Sequence, residues 1–413
     1  MRSSLGRRSL GVALWLLGTL PFLTRLFRGG TSRDLEHYML SANAVLDGQR
    51  IYVDVPFEYP PYVLAWLAGP AMLAGDLAEF RLFFGLLILC LDALIKGALI
   101  WIGLRDRQRP PDALPFVMYT LATAAVGHIL LQRYDVIPAA LSVAAVIALW
   151  AGWAGAAGLM AAVAVGTKVY PAVFVPVLAV VAWRRGRSDT KRFAIGMVAG
   201  LLPLVALSWS VPWWSFATVH TGRGLEAESL WASALWLSHF VGVPATWELV
   251  IGWFEVTGPV AEGLVTPARI VWAAATLGSV ALATWVAWRQ WLSPGEDADT
   301  VSLSVTATLL LLPVTTFVAF SLVLSPQFHL WLAPLAALAL LARRRPDAGV
   351  DTGALWCIFL STFLVPAFFP SPTFDRGLDL GRTLVLVFRN VLLLYATWSL
   401  LQTAVRLASP QRT

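Results

Sequence analysis

The sequence is short of charge and nearly free of cysteine. Only 13% of its 413 residues are Asp, Glu, Lys or Arg, against 58% hydrophobic ones, whereas soluble domains carry about 25% charged residues. That little polar surface cannot cover a soluble globule of this size, and a mean hydropathy of +0.72 points the same way. An aromatic content of 12% excludes a disordered chain as well. Cys90 and Cys357 each sit in an apolar run. With no disulfide framework or metal-ligand spacing around them, they read as buried small hydrophobes. No GxxxxGKS/T, GxGxxG, HExxH or CxxC string occurs, which removes the usual support for nucleotide, dinucleotide and zinc chemistry. What remains is an integral membrane protein.

A span needs roughly 20 apolar residues at about 1.5 Å each. The runs 10–28, 82–104, 113–131, 193–211, 268–289, 302–323, 353–369 and 382–403 meet or approach that length. The stretch 136–183 is interrupted at Ala151-Gly152-Trp153 and at Lys168, and divides into 136–150, 153–167 and 169–183. A last run, 328–342, follows Ser325-Pro326-Gln327. Together these predict an all-α bundle of about twelve transmembrane helices. The first run begins like a signal peptide after Arg2, Arg7 and Arg8, but no small-residue cleavage site follows it, so an uncleaved span is expected.

The net charge of +6 is read by position, because Lys and Arg in short loops orient a membrane protein. Clusters at Arg2, Arg7, Arg8; Arg105, Arg107, Arg109; Arg184, Arg185, Arg187, Lys191, Arg192; Arg343, Arg344, Arg345; and Arg406, Arg412 fall on one side. This places the N- and C-termini in the cytoplasm, with the chain in the plasma membrane. Counting 60–75 as a span would reverse Arg105–Arg109. It is therefore expected as a helix on the outer face, with Tyr62 and Trp66 at the interface. Two long outer segments result, 29–81 and 212–267. The second carries Trp213, Trp214, Trp231, Trp236, Trp247 and Trp253 and also reads as interfacial helices. Residues 1–413 then form a single transmembrane domain whose chemistry takes place at the outer surface.

Several polar groups gather at that edge. In the first outer segment Asp34 stands just beyond the first span, where a carboxylate either acts on a substrate or caps the helix expected from about Asp34 to Leu46. Gln132-Arg133-Tyr134-Asp135 joins two spans, and Arg133 and Asp135 could form a structural pair. Lys168, in Lys168-Val169-Tyr170-Pro171, breaks a long uncharged stretch, either to snorkel or to serve a site. His329, in Ser325-Pro326-Gln327-Phe328-His329, opens a span, as a satisfied polar residue or as a ligand. Asp92 and Lys96, at i,i+4 in mid-span, read as a structural pair buried between helices. Arg389-Asn390 fits either snorkelling or a lipid-phosphate cavity.

Taken in order, Asp34…Tyr38…Ala42…Gly48…Tyr52…Tyr59-Pro60-Pro61 resembles the first-loop signature of glycosyltransferase family 87, the polyprenol-phosphate-mannose-dependent mannosyltransferases of the GT-C superfamily. Arg133-Tyr134-Asp135…Pro138, Gly166-Thr167-Lys168-Val169-Tyr170-Pro171 and Ser325-Pro326-Gln327-Phe328-His329-Leu330-Trp331 are similar to its later landmarks. The resemblance runs from about residue 30 to 345. It implies a GT-C-like bundle, a polyprenyl-phosphate sugar donor, a glycolipid or glycan acceptor in the outer leaflet, a catalytic carboxylate in the first outer loop, and inversion at the anomeric carbon. Many GT-C enzymes carry two adjacent acids in that loop. Here Leu35 stands beside Asp34, so an acidic metal-binding pair is not complete; no cofactor is expected to be required, and dependence on a divalent metal is left open.

The resemblance and the needs of the reaction together give the residues roles. A base must reach the acceptor hydroxyl, and positive charge must meet the departing phosphate. Asp34 is expected as the base; Lys168, Arg133 and His329 as donor-phosphate ligands; and Tyr38, Glu58, Tyr59, Asp135, Tyr170 and Gln327 as substrate-binding residues. The competing reading is a multi-pass transporter or lipid flippase. It calls for internal repeats and ions near the midplane; no convincing repeat joins the halves, and apart from the Asp92–Lys96 pair the polar clusters lie at one edge.

Overall fold

The computed structural model describes residues 2–28, 30–105, 110–243, 245–250, 253–289, 298–341, 350–367 and 379–409. Arg107, Arg109, Arg343, Arg344, Arg345 and Arg412 of the basic clusters lie outside the described residues. In chain order the helices are α1 (Arg2–Arg28), α2 (Arg33–Leu46), α3 (Tyr62–Leu73), α4 (Leu77–Arg105), α5 (Leu114–Ala125), α6 (Gly127–Leu130), α7 (Val136–Trp150) and α8 (Ala154–Thr167). They continue as α9 (Val175–Arg185), α10 (Arg187–Leu207), α11 (Phe216–Thr221), α12 (Leu230–His239) and α13 (Pro259–Arg289). The last four are α14 (Ala298–Phe320), α15 (His329–Ala339), α16 (Thr352–Phe363) and α17 (Leu380–Ala408). Three short strands, β1 (Leu225–Glu226), β2 (Thr246–Val250) and β3 (Trp253–Thr257), complete the set.

Helices α1, α4, α10, α13, α14 and α17 are long and apolar enough to cross a membrane, and the chain is an all-α integral membrane protein. The apolar helices α3, α5, α7, α8 and α16 are shorter, at 12 to 15 residues, and rise only about 18–22 Å against a hydrocarbon core of roughly 30 Å. Two predicted runs break where the backbone demands it. The run 113–131 is interrupted at Val126, between α5 and α6. The run 169–183 opens with a 3-10 turn, Tyr170–Phe174, at Pro171, whose ring removes a backbone donor.

The chain divides into two compact units, one of Met1–Ala172 and Arg185–Thr221, the other of Val173–Arg184 and Gly222–Thr413. In the first, α8 and α10 pack through small residues that let backbones approach. A Cβ on Gly158 would lie 2.1 Å from the Phe193 carbonyl oxygen, and one on Gly196 2.0 Å from that of Gly155. Along α4 the predicted Asp92–Lys96 pair is present: the ammonium lies 2.5 Å from Asp92 Oδ2, both side chains have no exposure, and Lys96 Nζ also donates to the Gly18 carbonyl at 2.8 Å. The expectation of burial is corrected for both cysteines: Cys357 on α16 is only half-buried, and Cys90 departs further. It lies on an exposed face of α4, as a small apolar residue can where the solvent is lipid.

In the second unit β3 is the central strand of an antiparallel sheet ordered β1-β3-β2, with Glu226 opposite Glu255 and Trp247 opposite Val256. This corrects the all-helical reading of 212–267. Thr246-Trp247-Glu248-Leu249-Val250 and Trp253-Phe254-Glu255-Val256-Thr257 are rich in the β-branched and aromatic residues that suit a pleated surface. The sheet covers a core of Leu225, Trp236, Val256 and Ala268, and Trp236 Nε1 donates to the Ala227 carbonyl at 2.8 Å. Arg389 on α17 neither snorkels nor faces an open cavity. It is fully buried, with its guanidinium 2.5 Å from Glu228 Oε2 and 2.7 Å from the Glu228 carbonyl.

Candidate active site

The first unit brings Asp34, Arg133, Asp135 and Lys168 together through two ion pairs. Asp34 occupies the first turn of α2, a position favoured for a carboxylate by the helix dipole. The N-cap itself is Ser32, whose hydroxyl accepts from the Leu35 N–H at 3.4 Å. The Asp34 carboxylate is therefore not spent on capping; its Oδ1 lies 2.5 Å from Arg133 Nη1, with side-chain exposures of 29% and 24%. In the second pair Lys168 Nζ donates to Asp135 Oδ1 at 2.6 Å, with Lys168 partly exposed and Asp135 buried at 1%. Arg133 and Asp135 thus belong to different pairs, not to one.

The backbone explains the crossing. Asp135 is the last residue before α7, and Arg133 precedes it by two, so their side chains leave the turn in different directions. Gln132 Nε2 donates to the Gly30 carbonyl at 3.2 Å, tying this turn to the approach to α2. Lys168 ends α8 in an extended conformation. The preceding turn is packed against α3, where Trp66 Nε1 donates to Thr167 Oγ1 at 3.3 Å. A Cβ on Gly166 would meet the Tyr62 ring at 2.3 Å, so glycine is what allows this approach. Tyr62 in turn donates its hydroxyl to the Gly200 carbonyl on α10.

Beneath the two pairs lies an aromatic cluster. Tyr134 packs edge-on against Tyr59 and Tyr38, with centroids 5.1 and 5.7 Å away, and the Lys168 ammonium stands 4.7 Å from the centre of the Tyr134 ring. Tyr59 is held from the other side by the Tyr52 hydroxyl, which donates to its carbonyl at 2.6 Å. Tyr52 takes the left-handed backbone conformation, φ 72°, to make that turn. His37 stacks on Phe57 at 6.0 Å, and His220 on α11 bonds to the Glu58 carbonyl at 3.1 Å.

Burial sets the electrostatics. It raises the Asp34 carboxyl above its ordinary value, against the Arg133 charge, which lowers it; the neighbouring Glu58 adds to the rise. Burial lowers the Lys168 ammonium, and Asp135 and Glu58 oppose that while Arg133 reinforces it. The phenols of Tyr38, Tyr59 and Tyr134 are all pushed above their usual range by burial and stay neutral. What results is a partly exposed carboxylate between an arginine and a second acid, next to a lysine on an aromatic ring. Such a group can take a proton from a hydroxyl and can hold an oxyanion nearby.

Of the remaining sequence-predicted residues, Tyr38 and Tyr170 belong to the same unit but are buried at 0% and 1%. With Asp135, they present almost no surface to a substrate. Glu58 and Tyr59 are half-buried. Gln327 and His329 belong to the second unit. His329 is fully buried at the start of α15, with Nδ1 3.3 Å from the Pro326 carbonyl and Nε2 without a hydrogen-bond partner among the described residues. Tyr134 is the residue that sequence reasoning did not assign. Its signal was its place between two opposite charges, where a ring is carried to whichever ion its neighbours bind. Among the described residues no group of three or more His, Cys, Asp or Glu is arranged to hold a metal ion.

A family model described as Glycosyltransferase family 87 matches residues 57–313. The matched segment takes in Glu58, Tyr59, Arg133, Asp135, Lys168 and Tyr170; Asp34 and Tyr38 precede it, and Gln327 and His329 follow it. No curated protein matches the chain.

Proposed function

The chain belongs to glycosyltransferase family 87, and from that premise we propose that it moves mannose from a polyprenyl-phosphate donor to a glycolipid or glycan acceptor in the outer leaflet of the plasma membrane. Residues 1–413 then act as one GT-C-like transmembrane domain with both termini cytoplasmic. The observation that carries this reading is the pairing of Asp34 with Arg133 beside Asp135 and Lys168. One partly exposed carboxylate and two cations thereby stand in one cluster within a protein that is otherwise poor in charge.

The acceptor oxygen attacks the anomeric carbon, its proton passes to the Asp34 carboxylate, and the bond from that carbon to the phosphate oxygen breaks with its electron pair leaving on the phosphate. Inversion follows from attack opposite the leaving group. The phosphate is already a good leaving group, so it needs countercharge rather than a proton, and Lys168 and Arg133 supply it. The raised Asp34 carboxyl suits the base, because basicity grows with pKa as long as the group is ionised at working pH. Tyr38, Tyr59, Asp135 and Tyr170 hold these groups in place, and Glu58 binds substrate beside them. No cofactor is required in this scheme.

The test is incubation of purified protein with several polyprenyl-phosphate sugars and candidate glycolipid acceptors, read by mass spectrometry. Transfer is expected from the mannosyl donor and is expected to vanish in Asp34→Asn, while thermal stability stays near that of the wild type. Full activity in Asp34→Asn removes Asp34 as the base. Transfer from a different polyprenyl-phosphate sugar alone would reassign the donor.

A further inference from the structure

We propose that Asp135 is a positioning residue whose work is to keep Lys168 ionised and fixed over the Tyr134 ring, so that the donor phosphate always meets a full positive charge. This rests on the reading of Lys168 as the phosphate's partner, but its first consequence concerns Lys168 alone.

The geometry carries it. Asp135 is buried at 1%, so it does not itself touch a substrate, yet its Oδ1 lies 2.6 Å from Lys168 Nζ. The ammonium stands 4.7 Å from the Tyr134 ring centre, a distance at which a ring face attracts a cation. A carboxylate and a ring thus both hold the side chain, while 17% of it stays exposed. The adjacent residues Tyr134 and Asp135 come from one turn, so a single backbone segment sets both contacts.

The charges that face Lys168 from each neighbouring element explain why such a seat is needed. Arg133, on the same turn, repels the ammonium; Asp135 and, from the segment before α3, Glu58 attract it; and burial works against any charge at that depth. Tyr134 and Tyr170 are neutral phenols. Without Asp135, the largest of the charges that favour the ammonium is gone, while repulsion by Arg133 and desolvation remain. A buried lysine releases its proton readily under such conditions. An arginine at the same place would not.

The experiment has two independent readings. In the first, the pH dependence of the reaction of Lys168 with an amine-selective reagent, followed by peptide mass spectrometry, is compared between wild type and Asp135→Asn in the full-length protein. The midpoint is expected to fall by roughly 1–3 pH units, the range an opposite charge at contact distance produces. An unchanged midpoint overturns the inference whatever the activity does. In the second, the pH profile of transfer is measured. The alkaline limb of Asp135→Asn is expected to move down with the lysine midpoint, and Lys168→Arg combined with Asp135→Asn to restore the wild-type limb. A loss of rate that is equal at every pH, with no rescue by arginine, also overturns it and marks Asp135 as merely structural. If instead the midpoint falls and the transfer profile ignores it, Asp135 still governs the charge of Lys168, and what fails is the assignment of Lys168 to the phosphate.

Discussion

Of the places in the first unit where a carboxylate meets a cation, the middle of α4 and the candidate site differ in almost everything else. Asp92 and Lys96 lie one turn apart on α4, with no side-chain exposure. The lysine spends its remaining capacity on the Gly18 carbonyl and the Phe22 ring, whose centre is 4.0 Å away. Asp34–Arg133 and Asp135–Lys168 join residues distant in sequence, and three of the four side chains keep between 17% and 29% of their surface. The chemistry of the bonds is the same. What separates the two is exposure: the pair on α4 presents no surface, whereas the site keeps polar groups facing outward.

The largest effect that sharpens this contrast belongs to the closed pair. Lys96→Ala strands Asp92 as an uncompensated buried charge, and the expected loss is about 3–5 kcal/mol of stability. Replacing both residues together, Asp92→Leu with Lys96→Met, is expected to be close to neutral, because two charges and their mutual desolvation are removed at once. Unfolding of the detergent-solubilised variants by heat or denaturant measures both. If Lys96→Ala costs less than about 1 kcal/mol, the value typical of exposed pairs, the α4 pair is not closed and the comparison breaks.

The same contrast decides what could be read from the sequence. Asp92–Lys96 was legible because an i,i+4 spacing on one helix needs no knowledge of the fold. Asp34–Arg133 was not, since it depends on how α2 meets the turn between α6 and α7; short spacing made Arg133–Asp135 the nearer guess. Gathering Asp34, Arg133 and Lys168 at one edge was legible from topology and motif order, but which partner each would take was a tertiary matter. For Arg389 the missing piece was Glu228, far away in the chain and set by the turn after β1. The sheet at 225–257 was hidden because its tryptophans suit a membrane interface as well as a strand.

The next effect falls on the open pair, and it is catalytic before it is structural. Arg133→Ala is expected to lower transfer by roughly 100- to 1,000-fold, as loss of one oxyanion donor does. The stability change should be about 1 kcal/mol or less, because both partners are partly exposed. The pH profile adds a signed check. Burial holds the Asp34 carboxyl above the usual carboxylate range, and Arg133 is the largest charge opposing it. A base works only when ionised, so the acid limb of transfer is expected above the ordinary Asp value of about 3.9, and higher still in residual Arg133→Ala activity. Stability runs the other way: the folded state binds the Asp34 proton more tightly than the unfolded chain does, so this group's contribution falls as pH rises from the unfolded to the folded value. An acid limb that moves down when Arg133 is removed contradicts the pairing.

The smallest expected effect separates the two things a residue at the start of α2 can do. Ser32 caps the helix, and Asp34, two residues on, reaches Arg133. At 3.4 Å the cap bond to Leu35 is long, so Ser32→Ala is expected to cost about 0.5 kcal/mol, the low end for a lost cap. Transfer should stay within about twofold of wild type, equivalent to roughly 0.4 kcal/mol in the barrier. Asp34→Asn is expected to do the reverse, leaving stability alone and removing transfer. The two variants therefore form a crossed pair, measured by unfolding and by product formation on the same preparations. Should Ser32→Ala depress transfer as deeply as Asp34→Asn, the helix start itself would be the sensitive element. The carboxylate would then matter only through the fold it helps to begin, which is what the closed pair on α4 already does.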